Sequence, residues 1–347
     1  MQTVCHVIND VNTPQSQEIL GKAARVLREG GLVVFPTETV YGLGANALDG
    51  GAASKIYEAK GRPADNPLIV HIKEPKEAEI LTDTPALFYR LARAFMPGPL
   101  TVIMPKRDVV PDTVTAGLNT VAIRCPAHPV ARALIDAAGV PIAAPSANLS
   151  GSPSPTNAAH VREDMVGRVD MILDGGASEV GVESTIIKIE NENEVLLLRP
   201  GAVTKEDMEA LGICVSVAPS VLAALKEGEK VLSPGMKYRH YAPKAPLYLL
   251  DGTEEKRRKY LADSKTRIAY LCYEEERDAL SALPVTLYCI GSVCDTKTQA
   301  NRLFSLLREA DKENFDAIFA PLPLTEGMGL ALYNRMIRAA AHQIIQL

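Results

Sequence analysis

The sequence contains no tryptophan, and aromatic residues make up only 5% of it. Little material is therefore present for the stacking platforms that hold single-stranded nucleic acids. Positive charge is not in excess either: 42 acidic residues face 37 lysines and arginines, for a formal net charge of −5. That balance argues against a surface built wholly for nucleic acid, although it leaves room for a local basic pocket. The six cysteines (Cys5, Cys125, Cys214, Cys272, Cys289 and Cys294) contain no C-x-x-C pair, which excludes a zinc knuckle and a thioredoxin-type motif. No secretory apolar core stands at the N-terminus, so reduced thiols and a cytoplasmic location are expected. No apolar run approaches the roughly 20 residues needed to span a bilayer, so no membrane association is expected.

Several catalytic signatures are missing as well. G-x-x-x-x-G-K-[ST], G-x-S-x-G and H-E-x-x-H do not occur. An enzyme with this sequence uses neither a covalent serine of that type nor a zinc-bound water of that type.

What is present is alternation. At 347 residues the chain exceeds one ordinary core and predicts two domains. Residues 17–30 read as an amphipathic helix stopped by Gly30-Gly31, and Leu32–Phe35 as a buried strand. Helices follow at 52–59, 86–95 and 129–138. Strands are expected at 68–72, 100–104, 121–125, 141–144, 171–173 and 185–189. Strands alternating with helices indicate a layered α/β sheet. Helices near 205–211 and 220–227 lead to Ser233-Pro234-Gly235-Met236-Lys237-Tyr238-Arg239-His240-Tyr241-Ala242-Pro243, a proline-rich, basic and aromatic segment that reads as a structured linker. From 246 a second β/α pattern runs to a final helix near 329, and it predicts an open parallel sheet of Rossmann-like type. That half carries no G-x-G-x-x-G, so a dinucleotide is not implied. The expected division is 1–212, a linker 213–245, and 246–347.

The candidate chemistry gathers after the expected strands, where α/β sheets bind ligands. Pro36-Thr37-Glu38-Thr39-Val40-Tyr41-Gly42-Leu43-Gly44 reads as a turn able to offer hydroxyls and backbone N–H groups together, with an ordinary glycine turn and a capping threonine as the commoner alternative. Lys60-Gly61-Arg62-Pro63 through Asn66-Pro67 is a stiff basic loop ahead of a buried strand ending near His71. Lysine supplies a point charge there and arginine a planar fork for phosphate oxygens, with Gly61 letting the backbone come close. A helix C-terminus with cations near its dipole is the plainer alternative. Arg124 lies inside an apolar strand, so it is either paired to a carboxylate or waiting for an anion. Ala144-Pro145-Ser146-Ala147-Asn148, Glu183-Ser184-Thr185 and Leu198-Arg199-Pro200-Gly201 complete the set.

Taken in order, these segments resemble the YrdC-like (Sua/YrdC/YciO) family of threonylcarbamoyl-AMP synthases, over roughly residues 15–205. Met96-Pro97-Gly98-Pro99-Leu100-Thr101 and Ser150-Gly151 belong to the same pattern, and the linker with the second domain resembles the longer, two-domain branch. The resemblance implies a twisted YrdC-like α/β domain followed by a smaller Rossmann-like domain. It also implies a reaction in which L-threonine, bicarbonate or CO2 and ATP, with Mg2+, give threonylcarbamoyl-AMP and pyrophosphate. The product would pass to a separate tRNA threonylcarbamoyl transferase for modification of adenosine 37, with direct tRNA binding possible but not required.

By position, the resemblance puts Thr37, His71, Ser184 and the Ala144 backbone at threonine, and Lys60, Arg62, Asn66, Ser146, Asn148, Ser154 and Arg199 around ATP. Lys60 and Arg62 are the expected catalytic pair, Arg124 could serve either ligand, and Tyr238 or Tyr241 would close over the nucleotide. No protein metal ligand is implied. Two rivals stand beside this reading: a double-stranded RNA-binding module, which the charge and aromatic content disfavour, and a hydrogenase-maturation carbamoyl transferase, whose acylphosphatase-like and zinc-binding segments are missing. The second domain's task is not legible beyond a lid or a platform for the linker.

Overall fold

A computed structural model describes residues 2–223 and 241–347. Eleven strands make the first sheet: β1 (Val4–Val7), β2 (Val33–Phe35), β3 (Gly42–Asn46), β4 (Ile69–His71), β5 (Leu100–Pro105), β6 (Thr120–Arg124), β7 (Ile142–Ala144), β8 (Met171–Asp174), β9 (Thr185–Asn191), β10 (Glu194–Arg199) and β11 (Cys214–Val217). Their order across the sheet is β1-β8-β2-β3-β7-β4-β6-β5-β9-β10-β11. The sheet is mixed, with β2–β3, β3–β7, β4–β7, β5–β6 and β9–β10 antiparallel. It continues past residue 212, because β11 pairs in parallel with β10.

Local chemistry sets the helices that cover it. In Pro14–Arg28, Thr13 accepts the Ser16 N–H at 3.2 Å and Pro14 takes the first turn, where no N–H is needed. Its Ile19, Leu20, Ala23 and Leu27 are buried and pack in one cluster with Val130, Leu134 and Ile135 of the helix Pro129–Ala138. The helix Gly50–Lys60 starts on Asp49 and stops at Gly61, which is left-handed with φ of 60°.

One expectation is corrected here. Gly42 and Gly44 belong to β3 rather than to the turn, which closes at Tyr41. A Cβ on Gly44 would lie 2.8 Å from both Phe35 and Ile142, so glycine lets a central strand pass under an aromatic ring. Gly61 caps the helix in the left-handed region, and a Cβ there would meet no protein atom within 4 Å.

The second sheet comprises β12 (Leu247–Asp251), β13 (Ile268–Tyr273), β14 (Thr286–Gly291), β15 (Ala317–Pro321) and β16 (Ile344–Gln346), all parallel, in the order β14-β13-β15-β12-β16. Its layering is Rossmann-like; its strand order places β15 between the first two strands of the unit.

Two helices of this unit, Thr296–Ala310 and Met328–Ala339, meet the first one. Val40 and Val182 lie in the same buried cluster as Leu303, Phe304, Met336 and Ile337. Gly181, at φ of 79°, lets the chains touch: a Cβ there would sit 2.3 Å from Asn301 Cα. Among the described residues no helix is long and apolar enough to cross a membrane.

Candidate functional site

Register explains why distant residues meet. Residues paired directly across neighbouring strands share a face of the sheet. His71 pairs with Ile142 on one side and Arg124 on the other, Arg124 with Thr101, Thr101 with Ile186, and Ile186 with Arg199. A single row across β7, β4, β6, β5, β9 and β10 thus carries an imidazole, two guanidiniums and a hydroxyl. Above it opens a cleft with about 680 Å³ of free space, walled by the loops 36–42, 60–62 and 145–151 and by Glu183 and Tyr241.

Thr37, Lys60, Arg62, His71, Arg124, Ala144, Ser146, Asn148, Arg199 and Tyr241 all line this cleft. Three other expected residues stand behind its surface. Ser184 bonds the Thr101 hydroxyl at 2.8 Å and accepts from Arg199 through its carbonyl at 3.0 Å and its hydroxyl at 3.1 Å. Ser154 donates to Glu183. Asn66 offers its carbonyl to Arg62 at 3.0 Å and keeps its buried side-chain amide without a hydrogen-bond partner among the described residues. Such an orphan amide beside a cleft is a place for a ligand group. Tyr238, with the Ser233–His240 stretch, lies outside the described residues.

The loops are held by their own side chains. Thr37 Oγ1 accepts the N–H groups of Thr39 and Val40 at 3.2 and 3.3 Å and donates to the Val40 carbonyl at 2.6 Å. Lys60, at the end of its helix, donates to the carbonyls of Ser146 and Asn148, each at 2.6 Å. The helix-terminus alternative holds for this segment, and the same lysine that ends the helix also clamps the 146–148 loop. Burial, followed by the Arg62 charge, pushes the Lys60 ammonium well below its ordinary value.

Arg124 resolves to the paired alternative. Its Nη2 lies 2.7 Å from Glu38 Oε1, with both side chains buried, and Glu38 also accepts the Ala127 N–H at 3.1 Å. Burial works to raise the Glu38 carboxyl, but Arg124 and the backbone donors bring it below its ordinary value. Arg124 Nε keeps no partner among the described residues. Burial, reinforced by Arg124, drives His71 down to about 3, so its ring is uncharged at neutral pH. Burial also lowers Arg199 to about 10.

Sequence reasoning missed Glu38 as the partner of Arg124, 86 positions away, and it missed that the second domain holds Glu183. Glu183, quoted only as part of a motif, is held by Arg335 at 2.7 Å. Tyr241 stacks on Phe304 with ring centres 5.2 Å apart. No group of three or more His, Cys, Asp or Glu able to hold a metal occurs among the described residues.

Comparison with known proteins follows the same division. A family profile described as "Telomere recombination" (Sua5, YciO and YrdC) matches residues 25–201, and one described as "Threonylcarbamoyl-AMP synthase, C-terminal domain" matches residues 203–341. A threonylcarbamoyl-AMP synthase of Bacillus subtilis is 46% identical over 345 residues, covering 98% of this chain and 97% of that one. Another, from Pyrococcus abyssi, is 44% identical over 329 residues, covering 93% and 94%. The crystal structure of P. abyssi Sua5 complexed with L-threonine has a TM-score of 0.89 to this fold at 39% identity, covering the whole of both chains.

Proposed function

Because the chain belongs to the Sua5/YciO/YrdC family and is a threonylcarbamoyl-AMP synthase, making threonylcarbamoyl-AMP and pyrophosphate from L-threonine, bicarbonate or CO2 and ATP, we propose that the cleft above the cross-strand row is where it does so. The observation that supports this most is the row itself, because it sets an uncharged imidazole in line with two guanidiniums along the floor of a cleft.

In this reading Thr37, His71, Arg124 and the Ala144 backbone hold threonine, with Ser184 bracing from behind. Arg62, Ser146, Asn148, Arg199 and Tyr241 face ATP, supported by Asn66 and Ser154, and Tyr238 remains a second linker tyrosine for the nucleotide. Lys60 orients the 146–148 loop and adds to the local field. Threonine's amine takes up CO2 to give a carbamate, whose oxygen attacks the α-phosphorus as pyrophosphate leaves. The nucleophile comes from the substrate, so positioning and charge neutralisation are what the protein supplies. A His71 that stays uncharged does not hand a proton to an acid-labile carbamate. Mg2+ accompanies ATP as its counter-ion. Glu38 and Glu183 are each tied to an arginine.

The first unit would extend past 212 through β11 to Val221, and the second would begin after the linker. The product would leave for a separate tRNA threonylcarbamoyl transferase in the cytoplasm, without tRNA being needed for the adenylation. Pyrophosphate release by the purified full chain tests the reading. It is expected only when threonine, bicarbonate and Mg-ATP are all present; no release with all three, or equal release without threonine, would contradict it.

A further inference from the structure

We propose that Arg335, on the second domain's helix Met328–Ala339, is a positioning residue for the nucleotide half of the cleft, acting by holding Glu183 away from Arg199. The inference rests on the reading of that half as the ATP site.

Glu183 is a cleft-lining carboxylate next to a wall assigned to phosphates, which by itself is unfavourable. It is nonetheless ionised. Burial works to raise its carboxyl, and Arg335, Arg199 and the Ser154 hydroxyl together hold it below the ordinary value. Two arginines compete for it, and the geometry shows which one engages it. Arg335 Nε donates to Glu183 Oε2 at 2.7 Å, its Nη2 to the Glu183 carbonyl at 3.2 Å and its Nη1 to the Pro200 carbonyl at 2.9 Å. Arg199 donates instead to the Ser184 carbonyl and hydroxyl.

A fully buried guanidinium from the second domain thus occupies the carboxylate that Arg199 would otherwise take. The same guanidinium faces the Tyr241 ring, 5.8 Å from its centre, while Phe304 stacks on that ring. Neighbouring donors fix this arrangement. Asn334 bonds the Val221 carbonyl at 2.8 Å, Arg338 the Ser220 carbonyl at 2.7 Å, and Arg308 the Pro153 carbonyl at 2.6 Å. The second domain in this sense braces a wall of the site from behind, through Arg335 on Glu183.

Without Arg335, Glu183 turns to Arg199 and removes a cation from the nucleotide while leaving the Thr37–His71–Arg124 end untouched. Steady-state pyrophosphate release by the full chain reads this out. Arg335→Met is expected to raise the KM for ATP by about tenfold with the KM for threonine within about twofold of the parent, and Arg335→Met/Glu183→Gln to bring the ATP KM back to within about threefold. Loss of both KM values together, or a lower melting temperature with neither changed, would overturn the inference, as would failure of the double variant to restore ATP. If Arg335→Met does not fold, Arg335→Lys serves in its place. It keeps the charge but loses the fork, and an ATP KM equal to that of the parent would count against the proposal. Failure of the parent to release pyrophosphate would instead sink the synthase reading, so the two failures are separable.

Discussion

The two buried arginine–carboxylate pairs at the cleft are built alike and sit differently. Arg124 and Glu38 come from one unit: β6 supplies the arginine and the turn after β2 the carboxylate, 2.7 Å away. Arg335 and Glu183 also meet at 2.7 Å, but across the boundary between the two sheets. In the proposed reading the first pair fixes the threonine end from within a single fold. In that reading the second makes the nucleotide end depend on a domain that braces the cleft from behind and, among the described residues, lines none of it. A site shared in this way has a cleft whose two halves respond to different parts of the chain.

Removing one partner from each pair sharpens this contrast most. Glu183→Ala leaves Arg335 charged and enclosed, and a loss of about 3–5 kcal/mol in unfolding free energy is expected by denaturant titration. Glu38→Ala should cost a similar amount, yet it should disturb threonine binding while Glu183→Ala leaves threonine binding within about twofold of the parent. If the two variants shift the same substrate, the division of the cleft is wrong.

Arg62→Ala comes next. Arg62 is only half-buried, so its loss should leave the melting temperature nearly unchanged while turnover falls by about 100-fold, roughly 2.7 kcal/mol of transition-state stabilisation. Equal losses of stability and activity would mark a structural arginine.

Acid is the mildest probe. His71 is held down to about 3 from an ordinary 6.5, so the unfolded chain binds a proton that the folded one refuses between those values. Stability is therefore full above pH 6.5 and is lost as pH falls, by about 2 kcal/mol on reaching pH 5. The two carboxylates respond later. With both held below 4.5, their contribution is present above that pH and fades beneath it. His71→Asn should lessen the slope of the stability profile between pH 6.5 and 5 by its share, while His160, held down to about 4 by burial, keeps the rest; an unchanged slope would show that His71 does not contribute.

Much of this was legible in the chain, for identifiable reasons. Pro129–Ala138 and Ala86–Phe95 are bounded as expected because prolines and glycine punctuate them, and the strands from Leu100 to Ile189 carry continuous apolar runs. β3 was read as a turn because Gly-Leu-Gly-Ala-Asn has low strand propensity; packing under Phe35 overrides it. Short or edge strands such as β1, β11 and β16 gave too little pattern. The basic loop and Arg124 announced themselves as charge among apolar neighbours. Arg335 could have done the same, since Asn334-Arg335-Met336-Ile337-Arg338 sets cations three apart on a helix that is otherwise apolar. Its partner, 152 positions earlier, could not be named from spacing.

A crystal structure of the full chain with L-threonine and a non-hydrolysable ATP analogue tests the shared cleft most directly. The account predicts threonine beside Thr37, His71 and Arg124, and the analogue's phosphates between Arg62 and Arg199 with Glu183 still on Arg335. Density for the nucleotide outside this cleft, or Glu183 turned onto Arg199 with the phosphates bound, would contradict it.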